Sequence, residues 1–329
     1  MRTFLKKILF GILYYTGIIA FFYHYNKNKQ RILVFHHIIS DEDLNLSFEQ
    51  QIVCTPQSKF KWMMKIVNKR FSVTTDIGKP GTAVITFDDG YRAIWNAYEV
   101  LKSFNNTAII FLPLSVIDGG TLWIDKIMAW FAYAPSREYH IDGAVIGIDS
   151  QESRLKAFSI CVNSLYEPGK YNPSKVINEL NRLYPIKELN IPEKYFSQRF
   201  MGLKTEEIQD LKERGYQFGA HSIDHDILSC LPPDKLEVDF RECEAHIGKL
   251  FNTDVYAYPF GHKRDVNDKV YAISKQSMFA NAVMNENVAL PSKEKLSRIN
   301  ISQYASKYEI EAALSGLTQW LKDKLKWKK

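Results

Sequence analysis

The sequence predicts an α/β fold built on one parallel sheet of barrel size, and three observations predict it. Short, apolar, β-prone runs alternate with helical stripes, the rhythm of a parallel sheet covered by helices. The 329 residues suffice for one large core, and no internal repeat, low-complexity tract or long Gly/Pro/Ser linker divides them. Each cluster of histidines and aspartates falls just after a strand-like run, and in parallel barrels the carboxyl ends of the strands form the functional rim.

The elements follow in order. After Arg31 comes ILVFHHI, a short strand ending in two histidines. Ser58 to Lys69 reads as a helix, with Phe60, Met63, Met64 and Val67 at helical spacing. Ala83 to Phe87 is a buried strand that stops at Asp88-Asp89-Gly90. Ala93 to Phe104 is the next helix and Thr107 to Leu112 the next strand. Residues 118–201 lack the rhythm and read as a largely helical insertion, with Trp123, Met128, Trp130 and Phe131 as its apolar surface. The rhythm resumes with a helix capped by Thr205 and ended by Gly215, then a strand, Gln217 to Ala220, stopping at His221. Leu236, Phe240, Cys243, Ile247 and Leu250 form one helical stripe. The strand Val255 to Tyr258 stops at Pro259-Phe260-Gly261. Val266 to Lys275 reads as helix, Phe279 to Met284 and Leu296 to Ile301 as strands, and Glu309 to Leu325 as one last helix.

Residues 1–29 stand apart. Ile8 to Tyr23 is an apolar run of roughly sixteen residues, just short of the ~17–25 that a spanning helix needs. Basic residues (Arg2, Lys6, Lys7) precede it, yet no small-x-small cleavage pattern follows. Two readings stay open: membrane association, spanning or lying on the surface, or a helix packed against the outside of the domain. The formal net charge of +6 gathers partly at the two ends, where Lys322, Lys324, Lys326, Lys328 and Lys329 close the chain. Basic ends suit an anionic membrane surface, whereas a nucleic-acid protein would carry a basic stripe interleaved with aromatics inside the fold. The compartment is left open. Cys54, Cys161, Cys230 and Cys243 are scattered, with no C-x-x-C pair, and read as reduced structural thiols.

The chemistry-bearing residues converge on one site. Asp88 and Asp89 are adjacent carboxylates at a strand end, so a cation or a proton is expected beside them. His221 and His225 are spaced so that both imidazoles can grip one ion. With Asp89 they give two nitrogens and one oxygen, a set that suits zinc and leaves a coordination position open for water or substrate.

The segments TFDDG (Thr86–Gly90), HSIDH (His221–His225) and AYPFG (Ala257–Gly261) resemble, in that order, the motifs of the polysaccharide deacetylases with NodB homology, carbohydrate esterase family 4. The resemblance spans about residues 30–305. It implies a deformed (β/α) barrel, with the largely helical insertion at 118–201, and hydrolysis of acetyl groups on N-acetylated sugars of a poly- or oligosaccharide. It implies Asp88 as general base, Asp89, His221 and His225 as metal ligands, and the backbone N–H of Phe260 as an oxyanion donor. These roles agree with the chemistry: a neutral amide needs polarising, a base must face the attacking water, and donors must meet the developing charge.

The chain departs from the family pattern in two places. Ala257 stands where many members have an arginine that orients the catalytic aspartate, and the late strand LSRIN lacks the usual acid histidine. Arg298 is the candidate for the first role. His36 is the candidate for the second, since it matches a histidine after the first strand in biofilm poly-N-acetylglucosamine deacetylases, whose motif order is permuted. His37, His262, His140 and His246 are read as structural or bland. Trp123 and Trp130 can stack on sugar rings or fill the insertion's own core. Rival functions are hydrolysis of another non-peptide C–N bond, in a glycolipid N-acyl chain or a cyclic amide, and an inactive carbohydrate-binding scaffold.

Overall fold

The structure is a computed structural model that describes residues 2–46, 54–141, 144–285 and 296–325. Its strands are β1 (Arg31–Phe35), β2 (His37–Ile39), β3 (Cys54–Pro56), β4 (Ala83–Phe87), β5 (Ile109–Leu112), β6 (Glu138–Ile141), β7 (Ala144–Gly147), β8 (Gln217–Ala220), β9 (Val255–Ala257), β10 (Asn281–Met284), β11 (Leu296–Ser297) and β12 (Ile299–Asn300). The main sheet runs β11-β10-β9-β8-β5-β4-β1-β12 with every neighbour parallel. β11 and β12 are two halves of one segment, split at Arg298. One half pairs with β10 (Val283↔Leu296) and the other with β1 (Leu33↔Ile299). The segment that begins the sheet therefore also ends it, and the sheet curls into the deformed (β/α) barrel that the resemblance implied.

Side chains alternate across the barrel wall, as the two-residue period of a strand dictates. Leu33, Ile85, Ile110, Phe218 and Tyr256 face outward into the core beneath the surrounding helices. Ile32, Val84, Ile109, Phe111, Val255, Ala257 and Val283 form the separate inner cluster that fills the lumen. Gly219 is in the wall because Phe111 occupies that lumen: a Cβ there would stand 2.6 Å from the Phe111 ring. Continuing the inward rows past the strand ends brings His36 after Ile32 and Val34, Asp88 after Val84 and Thr86, and His221 after Gly219 to one mouth.

The inserted region leaves and returns through a narrow neck. The Gly202 N–H bonds the Gly120 carbonyl at 2.9 Å, and a Cβ on Gly202 would stand 2.1 Å from the Val116 carbonyl oxygen. Beyond the neck, Trp130, Phe131, Ile127, Phe158 and Leu165 make a second apolar cluster. The region is mostly helical but also carries the antiparallel β6–β7 hairpin, which the sequence reading missed.

Three boundaries differ from expectation. Lys204, not Thr205, precedes the helix Thr205–Glu213; Glu207 and Asp118 carboxylates accept the first N–H groups. The stripe from Leu236 holds through Ile247 but Leu250 is exposed, because a π-turn at Glu244–Gly248 adds a residue and rotates the later positions off the face. The last helix is two, Lys307–Ser315 and Leu317–Leu325, broken at Gly316 with φ +86°.

The amino-terminal run is likewise two helices, Arg2–Tyr15 and Ile18–Tyr25, with 70° between them and Gly17 at φ +82° in the break. Among the described residues no single helix is long and apolar enough to cross a membrane, although this bent pair passes by length and composition. Phe10, Ile19 and Phe22 pack on Ala312 and Leu317, and the Asn26 amide donates to the Ser315 carbonyl. The segment is thus docked on the outside of the barrel. Its other side exposes Phe4, Leu5, Ile8, Leu9, Ile12, Ile18 and Phe21, with Tyr15, Tyr25 and Trp320 nearby. None of the four cysteines is in a disulfide. The tail beyond 325, with Lys326, Lys328 and Lys329, lies outside the described residues.

Candidate active site

The rim brings the sequence-selected residues together. Asp89 Oδ1 lies 3.3 Å from His221 Nε2 and 3.1 Å from His225 Nε2, and all three residues are buried. Asp89 Oδ1 finds no hydrogen-bond partner with proper geometry among the described residues. Three donor atoms thus converge on one point without bonding one another well. Such an arrangement fits a divalent cation between them, and a site with three protein ligands keeps a position open.

Backbone strain marks the same place. Asp89 (φ +71°), Ser222 (+64°), His225 (+57°) and Phe260 (+57°) all adopt the left-handed region, which non-glycine residues seldom visit. Each costs of order 1–3 kcal/mol and persists because its surroundings fix it. His221 leaves β8 with its Nδ1 2.6 Å from the Ala257 carbonyl of β9. This is the ring hydrogen bond that orients a metal-binding imidazole. The loop after it is held by the Asp239 carboxylate, which accepts the Ile223 N–H at 2.9 Å, and by Leu114 and Ser115, whose N–H groups donate to the Ser222 and Ile223 carbonyls. Burial pushes the Asp239 carboxyl up to about 7.

Asp88 sits beside the three donors and belongs to a bidentate pair. Arg298 Nη1 and Nη2 each donate to one Asp88 oxygen at 2.6 Å. The guanidinium is buried, and it also reaches Thr86 Oγ1 and the Met284 carbonyl at 3.2 Å. Burial works against ionising Asp88, but Arg298 outweighs it, with help from His221 and His36, and holds the carboxyl below its ordinary range. For Asp89 burial is again opposed, here by His225 and His221, and the carboxyl lies well below the usual range. Ala257, the position noted as a departure from the family pattern, is in the lumen cluster, and the guanidinium arrives from a strand two places round the barrel.

His36 Nε2 stands 3.9 Å from Asp88 Oδ2 and the side chain keeps 16% exposure at the mouth. Burial lowers its pKa, with Asp89 and Asp88 pulling the other way. His37 points out of the barrel, buried and stacked on Tyr91 at 3.9 Å between centroids. His262, His140 and His246 are exposed and apart from the three donors. Phe260 lays its ring edge-on to His225 at 4.6 Å.

The insertion borders the site as a fastened wall. Trp123 is 8% exposed, so it offers little ring to a sugar, and its indole N–H donates to the His225 carbonyl at 3.1 Å. The Tyr171 hydroxyl donates to Asp226 and accepts the Ile227 N–H, while the Tyr166 hydroxyl donates to Asp265 at 2.7 Å. Trp130 is fully buried in the insertion's own cluster. Asp239, Tyr171 and Tyr166 were missed in the sequence, where each reads as an ordinary helix or loop residue.

The polysaccharide deacetylase family model matches residues 181–280, a stretch that includes His221, His225 and Phe260. No curated protein sequence matches the chain. Among solved structures, a polysaccharide deacetylase from Bacillus cereus superposes over 87% of this chain and 69% of its own, with TM-score 0.52 and 16% identity. The Streptococcus pyogenes deacetylase PplD, solved with acetate, covers 89% of this chain and 97% of its own (TM-score 0.50, 15% identity). IcaB from Ammonifex degensii covers 88% and 97% (TM-score 0.50, 13% identity). The resemblance drawn from the three motifs is met by the family model over residues 181–280, and the fold is the one these solved deacetylases share.

Proposed function

We propose that the protein removes acetyl groups from N-acetylated sugars of a poly- or oligosaccharide. Asp88 acts as general base, Asp89, His221 and His225 hold a divalent ion, most suitably zinc, and His36 acts as general acid. The observation that carries this reading is the meeting of the Asp89–His221–His225 cluster with an Asp88 kept ionised by Arg298. A zinc ion held by those three residues would polarise the acetyl carbonyl and acidify water. Asp88, fixed in orientation and ionised, takes the proton of the attacking water. The Phe260 N–H would donate to the oxygen that gains charge. His36 gives its proton to the departing amine, which cannot leave as an anion at neutral pH. Acetate release from a panel of N-acetylated oligosaccharides, with and without chelator, tests the reading. Release that persists unchanged after chelation, or no release beside turnover of a glycolipid amide, would favour a rival. Residues 30–329 form the deacetylase domain in this reading, with 118–201 as its insertion.

Residues 1–29 supply a membrane-binding surface in the same reading, and a lipid-linked saccharide would be met there. Most of the exposed large apolar side chains among the described residues belong to this helix pair, and Lys7, Lys322 and Lys324 give a positive charge that suits anionic headgroups. Ile8→Glu with Ile12→Glu alters the exposed face and spares Phe10, Ile19 and Phe22. Binding to phosphatidylglycerol vesicles should be lost while activity on a soluble substrate remains. Equal sedimentation of both proteins with vesicles would contradict the idea.

A further inference from the structure

The two histidines of the candidate metal site are secured by different means. His221 has its second ring nitrogen bonded to the Ala257 carbonyl. His225 Nδ1 is buried and meets no partner among the described residues. A metal-binding imidazole ordinarily has that second nitrogen engaged, which fixes the ring. The placement of His225 must therefore come from its backbone and its packing.

We infer that Trp123 is the positioning residue for His225, and that the insertion is thus part of the metal site. The assignment rests on the reading that Asp89, His221 and His225 bind an ion. Trp123 begins the helix Trp123–Tyr133, directly beyond the neck of the insertion. Its indole N–H captures the His225 carbonyl at 3.1 Å. That bond holds the peptide following His225 while the residue itself sits at φ +57°. The Trp123 ring backs Phe260 at 6.0 Å, and Phe260 in turn abuts the His225 ring at 4.6 Å. The chain after His225 belongs to the insertion as well: Asp226 and the Ile227 N–H are both taken by Tyr171, and Ile227 is buried in the insertion's cluster. Release of the His225 carbonyl lets the residue relax toward ordinary backbone angles, and its Nε2 would then leave the position 3.1 Å from Asp89.

Trp123→Phe keeps an aromatic ring against Phe260 and removes the N–H donor. Trp130→Phe is the matched control, since Trp130 also donates its indole N–H to a carbonyl, that of Tyr184, within the insertion and away from the metal ligands. Zinc affinity would be measured for the wild type and both variants by competition with a chromophoric chelator, beside the visible spectrum of the cobalt-loaded proteins. Zinc binding should weaken about 10–100-fold in Trp123→Phe, the range for losing an outer-sphere support. Its cobalt spectrum should change, and Trp130→Phe should match the wild type in both. Unchanged affinity in Trp123→Phe, or an equal loss in Trp130→Phe, would overturn the assignment. A wild type that binds neither zinc nor cobalt would instead bring down the metal reading itself, and this assignment with it.

Discussion

His221 leaves the end of β8 with its ring tied to the carbonyl of the neighbouring strand, whereas His225, four residues later, leans on the insertion. The same division runs through the site. Asp88, Arg298 and His221 are fixed by barrel strands and by each other. His225, Asp226 and Ile227 are fixed by Trp123 and Tyr171. The barrel rim alone supplies Asp89 and His221 of the cluster; the segment that carries His225 is fastened to an insertion that interrupts the βα rhythm. The difference teaches that a side chain on a strand end is held by the sheet, and that a side chain on the loop beyond it takes its support from elsewhere.

The largest expected effect comes from removing either histidine. His221→Ala and His225→Ala should each lose bound metal and nearly all acetate release, several kcal/mol of barrier, because a three-ligand site has no spare donor. Elemental analysis would check this, and full occupancy in either variant would break the comparison at its root. Next is His36→Ala, which should keep its metal and lose about 10²–10⁴ in rate, with a flattened alkaline side of the pH profile. His37→Ala should be mild, since that ring faces Tyr91 outside the barrel. An essential His37 beside a dispensable His36 would reverse the inward and outward rows of β1.

Arg298→Met sharpens the barrel side. The variant should retain metal and lose roughly 10–100-fold in rate, the loss of two charge-assisted hydrogen bonds. Without the guanidinium, burial is no longer outweighed, so the Asp88 pKa rises and the acid limb of the rate profile moves to higher pH. A limb that stays in place would separate Arg298 from Asp88. The smallest effect is on stability. Asp239 is pushed up to about 7 in the fold, against about 3.9 for an unperturbed aspartate. The native state therefore holds a proton that the unfolded state has lost, and stability falls as pH rises from about 4 to about 7. Asp239→Asn removes that fall while its amide oxygen can still accept the Ile223 N–H. At pH 8 it should unfold with roughly 2 kcal/mol more free energy than the wild type, and at pH 4 the two should coincide. Denaturant unfolding of metal-free protein at both pH values would show it.

The barrel and the cluster were legible because strand ends carry their own punctuation: Asp88-Asp89-Gly90, His221 and Pro259-Phe260-Gly261 each stop an apolar run. Arg298 was already the candidate to orient Asp88, through the resemblance, but its bidentate approach became plain only once β11 and β12 closed the sheet. Trp123 reads in the sequence as an apolar helix residue, and nothing local reveals that its N–H points to a loop a hundred residues on. The β6–β7 hairpin had a signal, the alternation of exposed Glu138 and His140 with buried Tyr139 and Ile141, too short to stand out among helices. The π-turn at Glu244–Gly248 had none, since the stripe simply changes phase. In the last helix Gly316 was the signal, and the apolar periodicity hid it.

The central claim, a base beside a metal cluster, is tested most directly by Asp88→Asn, with metal content and acetate release measured on the same preparation. Asp89, His221 and His225 are untouched in this variant, so the account predicts bound metal equal to that of the wild type and a rate lower by about 10²–10⁴. Acetate release at the wild-type rate with metal bound would contradict it.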